Sequence, residues 1–234
     1  MSLARAEPPR FSTVARGVAH ALLDVRQPDA EPFSAHVLRI DLEIAELRLV
    51  PAGDASARRT VEQIVAPYPA AVAVNASFFD KEGRAMGLAV DEGRAMVASN
   101  RRSWGALVVD GRKARIMLGA DIPDYRAYRL VVQGIPRLVV QGQVQRLKPQ
   151  IAERTAVCAE GSVVVLVVST HAESTALARF LADPADKGGL ACVDALNLDG
   201  GPSTQLVVKL PGLAISRPGG WGVPNALVVI PGQK

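Results

Sequence analysis

Short apolar runs, separated by glycine and proline, recur along most of this chain. The runs at 71–74 and 163–168 are apolar at every position, which is typical of strands covered on both faces. The 20 glycines and 16 prolines are spread along the sequence, as turns between many short strands require. The pattern predicts an α+β or mixed α/β fold: a strand-dominated single domain with mixed sheets and a few short helices.

Periodicity locates individual elements. Alternation of polar and apolar residues predicts half-buried strands at 36–42 and 45–50. A short helix is predicted after Thr60, which is a suitable N-cap. A second helix is predicted over about 172–183, where Thr170 and Glu173 have the spacing of a capping box. Further strands are predicted at 87–90, 104–110, 113–118, 129–133, 137–140, 154–159 and 163–169.

Length and composition limit the domain organisation. A chain of 234 residues with 49% hydrophobic content can bury a sizeable core. No linker or repeat divides it, so we expect residues 1–30 to be a partly flexible N-terminal extension and residues 31–234 to form one domain. The longest apolar run, at 163–168, is too short to span a bilayer. The first ten residues lack the apolar segment of a signal peptide.

The net charge of +4 is compatible with an anionic partner. However, the basic residues occur as scattered pairs and aromatic residues make up only 4% of the chain. Modules that bind nucleic acids usually combine a basic face with aromatic side chains that stack on bases. The composition therefore favours a small phosphate-bearing substrate over a nucleic acid.

Cysteine and histidine provide few candidates for chemistry. Cys158 and Cys192 both lie in apolar runs, and they are either buried thiols or, as we prefer, a disulfide. His20, His36 and His171 are far apart in sequence, and we interpret them as structural or surface residues rather than metal ligands. Because zinc, phosphate-loop and serine-hydrolase motifs are also absent, we expect chemistry to depend on carboxylates, amides and hydroxyls.

The segment 197–204, Asn-Leu-Asp-Gly-Gly-Pro-Ser-Thr, is the strongest candidate site. The apolar run at 190–193 precedes it, as a strand precedes a pocket, and alternation would place Asn197 and Asp199 on the same side. Gly200 and Gly201 allow the backbone to approach a ligand closely. The alternative interpretation is an Asp-Gly turn in an ordinary hairpin.

Other polar groups follow predicted strands and could meet at one pocket mouth. Asn75 and Gln133 could face that pocket or could bond to loop backbone instead. Arg154 could bind a phosphate with two hydrogen bonds, or could form a structural ion pair. Trp104 and Trp221 are expected in the core, although a partly exposed indole can also stack on a sugar ring.

Five separated segments together resemble the phosphodiester glycosidase family. They are 75–80 (Asn-Ala-Ser-Phe-Phe-Asp), 133–139 (Gln-Gly-Ile-Pro-Arg-Leu-Val), 154–156 (Arg-Thr-Ala), 194–204 and 223–229 (Val-Pro-Asn-Ala-Leu-Val-Val). The resemblance extends over roughly residues 35–231. It implies hydrolysis of a sugar-1-phosphodiester to free sugar and a phosphomonoester, on an envelope or extracellular glycan. It also implies an extracytoplasmic location, either periplasmic or secreted.

The chain departs from the family pattern at two places. Ala76 and Ser77 stand where the family usually has two glycines, and Pro202 stands where it has a third glycine after the aspartate. Pro202 removes a backbone donor that could have held a phosphate oxygen. These differences affect the substrate expected rather than the resemblance itself.

The resemblance and glycoside chemistry together assign roles. Asp199 would stabilise or attack the oxocarbenium-like centre, or activate water, and Glu153 is the preferred second carboxylate, with Asp80 as the alternative. Asp194 is expected to face away. No cofactor is required by the sequence; calcium or magnesium on Asp199 fits an oxygen-rich site, but no ligand spacing demands it. The expected substrate-binding residues are Asn75, Phe79, Gln133, Arg154, Thr155, Gly200, Gly201, Ser203 and Thr204.

Two other functions fit the same residues. A non-catalytic module could bind an anionic glycan through Arg154 and an exposed indole. A phosphodiesterase could cut the phosphorus–oxygen bond instead of the glycosidic bond.

Overall fold

The computed structural model describes residues 7–233, and most of the elements are β-strands. The helices are α1 (Val61–Ile64) and α2 (Ser174–Ala182), and 3-10 turns occur at Gly119–Asp121, Tyr125–Ala127, Ala185–Lys187 and Gly201–Ser203. The strands are β1 (Ser12–Ala15), β2 (Val18–Gln27), β3 (Ala30–Asp41), β4 (Glu46–Pro51), β5 (Ala71–Asn75), β6 (Ala89–Asp91), β7 (Arg94–Val97), β8 (Gly105–Asp110), β9 (Lys113–Leu118), β10 (Leu130–Gly134), β11 (Arg137–Val140), β12 (Gln143–Val144), β13 (Ile151–Gly161), β14 (Val163–Glu173), β15 (Ala195–Asn197), β16 (Leu206–Leu210), β17 (Leu213–Arg217) and β18 (Asn225–Ile230).

These strands form two sheets. The larger sheet has the order β1-β2-β3-β14-β13-β9-β8-β10-β6-β7, with β15 pairing to β13 and β11, and β12 pairing to β11. The smaller sheet has the order β17-β16-β5-β18-β4. Every strand pair in the described chain is antiparallel, so the expectation of mixed sheets is wrong. The reason lies in the short connections: β8 and β9, for example, are joined by two residues, which can link only antiparallel strands.

The main core lies between the two sheets. Inward side chains of the larger sheet, such as Leu38 and Leu166, belong to one cluster with Val74 and Leu227 of the smaller sheet. The opposite face of the larger sheet is covered by α2, and α1 covers the opposite face of the smaller sheet. Because both sheets are covered on both faces, their central strands are apolar at nearly every position.

The N-terminal strands belong to this fold. Residues 12–27, expected to lie in an extension, form β1 and β2, and β2 pairs with β3 along most of its length. Val18, Ala21 and Val25 are buried, and their burial provides the apolar contact that holds the strand. Residue 31 is therefore not a structural boundary, since β3 already begins at Ala30.

The ends of α2 and β15 differ from the sequence predictions. The N-cap of α2 is Glu173, whose carboxylate accepts hydrogen bonds from Thr175 N and Ala176 N at 2.8 and 3.0 Å. Thr170 remains in β14, where its hydroxyl accepts from Ser34 N at 2.9 Å. The strand before Asp199 is Ala195–Asn197, and the apolar run at 190–193 is irregular.

Cys158 and Cys192 form a disulfide, as the sequence favoured. Cys158 lies in β13 and Cys192 in the segment that follows α2. Both cysteines belong to the apolar cluster beneath that helix. The bond therefore attaches the α2 region to the centre of the larger sheet.

Candidate active site

Asp199 lies just after β15, at one end of the space between the sheets. Its carboxylate accepts a hydrogen bond from Gly200 N at 2.9 Å and a second from the Ser203 hydroxyl. Burial raises the pKa of Asp199, and these two hydrogen bonds oppose that rise only in part. The site therefore holds a partly buried carboxylate whose proton affinity exceeds that of an ordinary aspartate.

Asn75 fixes the backbone of Asp199. Its Nδ2 donates to Asp199 O at 2.6 Å, and its Oδ1 accepts from Thr155 Oγ1 at 2.6 Å and from Gln205 N at 3.1 Å. Asn75 is fully buried. Because its amide is occupied by three protein groups, on Asp199, Thr155 and Gln205, Asn75 positions Asp199 and is not free to contact a sugar.

Glu153 lies close to the same segment. A Cβ added at Gly200 would lie 2.9 Å from Glu153 O, so the chain can pass β13 this closely only with glycine at 200. The Glu153 carboxylate accepts a hydrogen bond from the Arg217 guanidinium at 2.5 Å. The structure thus places the Glu153 backbone beside the Asp199 segment, and the Glu153 carboxylate has a partner, Arg217, that the sequence did not identify.

The sequence interpretation did not identify Arg217, and it treated His20 and His36 as structural or surface residues. Arg217 is the last residue of β17, and it lies on the same inward face of the strand as Ile215. The alternation of side chains along a strand could have predicted this orientation from the sequence. His20 Nε2 and His36 Nδ1 lie 3.0 Å apart. Burial, then the charges of His20 and Arg217, lower the pKa of His36. His36 therefore contacts His20 and lies close enough to Arg217 to be affected by its charge.

Arg154 points elsewhere. Its guanidinium donates to Gln150 O at 2.8 Å and to Ser174 Oγ at 3.0 Å, at the start of α2. Burial lowers the pKa of Arg154, and Glu173 opposes that effect. Thr155, the next residue, instead bonds to Asn75 between the sheets. The guanidinium therefore lies on the α2 side of the larger sheet, away from the carboxylates.

Gln133 is also committed to the protein. Its Oε1 accepts from Leu88 N at 2.7 Å and from Arg101 N at 2.9 Å. Its Nε2 donates to Asn100 Oδ1 at 2.9 Å and to Arg101 O at 3.0 Å. All four hydrogen bonds hold loops, which is the second of the two roles that the sequence left open.

The remaining predicted residues divide into two groups. Ser203 and Thr204 are buried in the segment after Asp199, and in residues 7–233 the Thr204 hydroxyl has no hydrogen-bond partner. Gly201 has a φ of +59° and begins the short turn that carries Ser203. Phe79 instead lies beside Trp221 and Arg58, in a neighbouring cavity.

Within the described residues, no group of three or more histidine, cysteine, aspartate or glutamate side chains is placed to hold a metal ion. No helix in that part of the chain is long and apolar enough to cross a bilayer.

Comparison with solved structures shows the same fold in other proteins. The chain is similar to the zebrafish N-acetylglucosamine-1-phosphodiester alpha-N-acetylglucosaminidase catalytic domain, described as auto-inhibited by its pro-peptide: identity is 19%, TM-score 0.69, and the match covers 99% of this chain and 87% of that one. A hypothetical protein from Synechocystis has 17% identity and a TM-score of 0.66, over 96% of this chain and 64% of that one. A candidate exported protein of Burkholderia pseudomallei has 16% identity and a TM-score of 0.56, over 86% of this chain and 74% of that one.

Sequence comparison gives the family. The curated proteins include no significant match to this chain. The family model described as phosphodiester glycosidase matches residues 68–230, which is most of the chain. This match includes β5, β13, β15 and the segment around Asp199. The chain therefore belongs to the phosphodiester glycosidase family.

Proposed function

We propose that this protein is a hydrolase that cleaves a sugar-1-phosphodiester at the glycosidic bond. The bond between the anomeric carbon and the phosphate oxygen breaks, water supplies a hydroxyl to the carbon, and the phosphate oxygen leaves as part of a phosphomonoester. Membership of the phosphodiester glycosidase family supports the reaction class. The observation that carries the proposal is the partly buried Asp199 carboxylate, held just after β15 by hydrogen bonds from Gly200 and Ser203.

Asp199 is the group we assign to the anomeric carbon. The positive charge that develops on the ring in the transition state is stabilised or attacked by a carboxylate, and a buried carboxylate interacts with it more strongly than an exposed one. The phosphomonoester is a good leaving group, so protonation by a strong general acid is less necessary here than for an ordinary glycoside. Glu153 is assigned as the second carboxylate, oriented by Arg217.

Hydroxyl and backbone groups after Asp199 are assigned to the substrate. The unpartnered Thr204 hydroxyl supports this role, because a buried hydroxyl without a partner is costly unless a ligand satisfies it. Gly200 and Gly201 leave the backbone bare beside it. Asn75 and Thr155 act indirectly, by holding the segment that carries these groups, whereas Gln133 holds the loops at Leu88 and Arg101.

We also propose an extracytoplasmic location, with an envelope or extracellular glycan as substrate. The Cys158–Cys192 disulfide supports it, since such bonds persist mainly in oxidising compartments. One of the similar structures is a candidate exported protein.

The test is hydrolysis of a panel of sugar-1-phosphodiesters, including a GlcNAc-1-phosphodiester, by the wild type and by Asp199→Asn. We expect free sugar from the wild type and a loss of at least about a thousandfold in the variant. Reaction in labelled water should place the label in the sugar; label in the phosphate would identify a phosphodiesterase. Tight binding of an anionic glycan without turnover, unchanged by Asp199→Asn, would identify a binding module instead.

A further inference from the structure

An open cavity of about 840 Å³ lies beside the segment that carries Asp199. Trp221 forms part of its wall and is 56% exposed. The Phe79 ring approaches the indole edge-on, with centroids 6.4 Å apart. The other lining residues are Ser56, Arg58, Asp80, Lys81, Gly220 and Gly222.

The backbone of Trp221 is attached to the Asp199 segment. Trp221 N and Gly220 N both donate to Pro202 O, at 3.1 and 2.8 Å. The buried Gln205 side chain donates to Trp221 O at 2.9 Å. An indole that is mostly exposed on so firmly held a backbone contributes little to the core. It is instead a rigid aromatic surface at a fixed position relative to Asp199.

Of the two cations on the cavity wall, Lys81 is paired with Glu82 at 3.7 Å, which leaves Arg58 as the candidate for binding an anion. Its guanidinium carbon lies 5.5 Å from the centre of the Phe79 ring, and within residues 7–233 it has no carboxylate at ion-pair distance. The other candidates are engaged: Arg217 is paired with Glu153 at 2.5 Å, and Arg154 faces α2. Asp80, on the cavity wall, is itself paired with Arg84 at 3.1 Å, which limits its repulsion of an anion.

We propose that this cavity binds the phosphomonoester half of the substrate, with a sugar ring stacked on Trp221 and the phosphate bound by Arg58. This inference rests on the proposed function, which decides which half of the substrate lies in the cavity. The sugar that is released lies at Asp199, and the leaving group extends past Pro202 into the cavity. Arginine binds phosphate through paired hydrogen bonds, and indole faces suit the apolar face of a pyranose. After cleavage the cavity holds the product.

The experiment is a fluorescence titration with glucose 6-phosphate. The chain has two tryptophans, so Trp104→Phe makes Trp221 the only indole reporter; Trp104 packs edge-on against Phe78, and phenylalanine preserves an aromatic contact there. We expect saturable quenching by glucose 6-phosphate, and binding at least about tenfold weaker for glucose, which lacks the phosphate, and for inorganic phosphate, which lacks the ring.

Arg58→Gln in the same background should weaken binding at least about tenfold, and the matched control Arg59→Gln should leave it unchanged, because Arg59 is an adjacent exposed arginine that does not line the cavity. Absence of quenching, or equal losses in the two variants, would overturn the proposal. If inorganic phosphate bound as tightly as glucose 6-phosphate, the proposed contact between the sugar ring and Trp221 would be wrong.

This titration needs no turnover, so it separates the two proposals. A folded protein that binds glucose 6-phosphate through Arg58 but hydrolyses nothing would contradict the proposed function only. An active enzyme whose kcat/KM for a phosphodiester with a sugar leaving group is unchanged in Arg58→Gln and Trp221→Ala would contradict the cavity assignment only.

Discussion

Asp199 combines burial with two hydrogen bonds, and this combination has a measurable consequence. Burial penalises the charged form, so the pKa lies above the ordinary value of 3.8 despite the bonds from Ser203 and Gly200. A catalytic step that needs the carboxylate will therefore lose rate on the acid side at a higher pH than an ordinary aspartate would dictate.

We expect kcat/KM to rise with pH along a limb governed by Asp199, and Ser203→Ala to move that limb to higher pH. Removing the hydroxyl removes a hydrogen bond that favours the charged form. A pH profile of both proteins on one phosphodiester tests this. A limb that stays in place, or moves to lower pH, would contradict the role of Asp199 as the titrating group.

Asn75 is expected to act on stability as much as on activity. Asn75→Ala would leave the Thr155 hydroxyl, Gln205 N and Asp199 O without their shared partner, which should cost about 2–4 kcal/mol in the free energy of unfolding. Thr155→Val is the matched control: it removes one of the three bonds and should cost about 1–2 kcal/mol. Urea unfolding measures both. Wild-type stability in Asn75→Ala, with substrate binding lost, would show that Asn75 contacts the substrate instead.

The sequence identifies polar residues at strand ends, but their hydrogen-bond partners could not be predicted from it. Asn75, Gln133 and Arg154 were recognised as polar groups at strand ends. Their hydrogen bonds go to groups distant in sequence, such as Gln205 for Asn75 and Leu88 for Gln133. A side chain's availability to a ligand depends on those partners, which become known only when the strands are assembled.

At the scale of elements, the N-cap of α2 shows how a correct residue type can be placed in the wrong role. The spacing of Thr170 and Glu173 fits a capping box, but Thr170 is held in β14 by Ser34, 136 residues earlier in the chain. Glu173 then caps the helix alone. A tertiary contact therefore decides between two local patterns that the sequence alone makes equally reasonable.

Glu173 should stabilise the protein in a pH-dependent manner. Burial raises its pKa, but the backbone hydrogen bonds from Thr175 and Ala176 outweigh burial, and the net pKa is lowered. A lowered carboxylate pKa adds stability above the unfolded pKa, and this stability is lost as pH falls through the folded pKa. Glu173→Ala should therefore cost about 1 kcal/mol at neutral pH and almost nothing in strong acid. Urea unfolding at a series of pH values measures this difference. Glu173→Gln is the control, because its amide oxygen can still accept the hydrogen bonds from Thr175 N and Ala176 N. A loss of stability that does not depend on pH would contradict a role for the charge of Glu173.

At the scale of the whole molecule, hydrophobic patterning predicts many short strands but not their order. Residues 12–27 illustrate the limit: β2 has polar residues on one side and few strong signals, yet it extends the larger sheet through its pairing with β3. Sheet order depends on long-range pairing, to which local patterns contribute little. Arg217 could not be identified from the sequence for the same reason, because its contact with Glu153 depends on the positions of β17 and β13 in the assembled fold.

The disulfide is the covalent link between the α2 region and the larger sheet, and it lies on the side of that sheet away from Asp199. It closes a loop with a sequence separation of 34, for which loop entropy predicts about 3–4 kcal/mol of stabilisation. Replacing both cysteines by alanine should therefore lower the free energy of unfolding by about that amount.

Because Asp199 and Glu153 are held by Asn75, Gly200 and Arg217 instead, kcat/KM of the folded variant should stay near the wild-type value. Urea unfolding of the variant, and of the wild type with and without a reductant, measures the first effect, and steady-state hydrolysis measures the second. If kcat/KM fell sharply while stability stayed constant, the disulfide would be coupled to the active site, and the separation of these two sides of the larger sheet would be wrong.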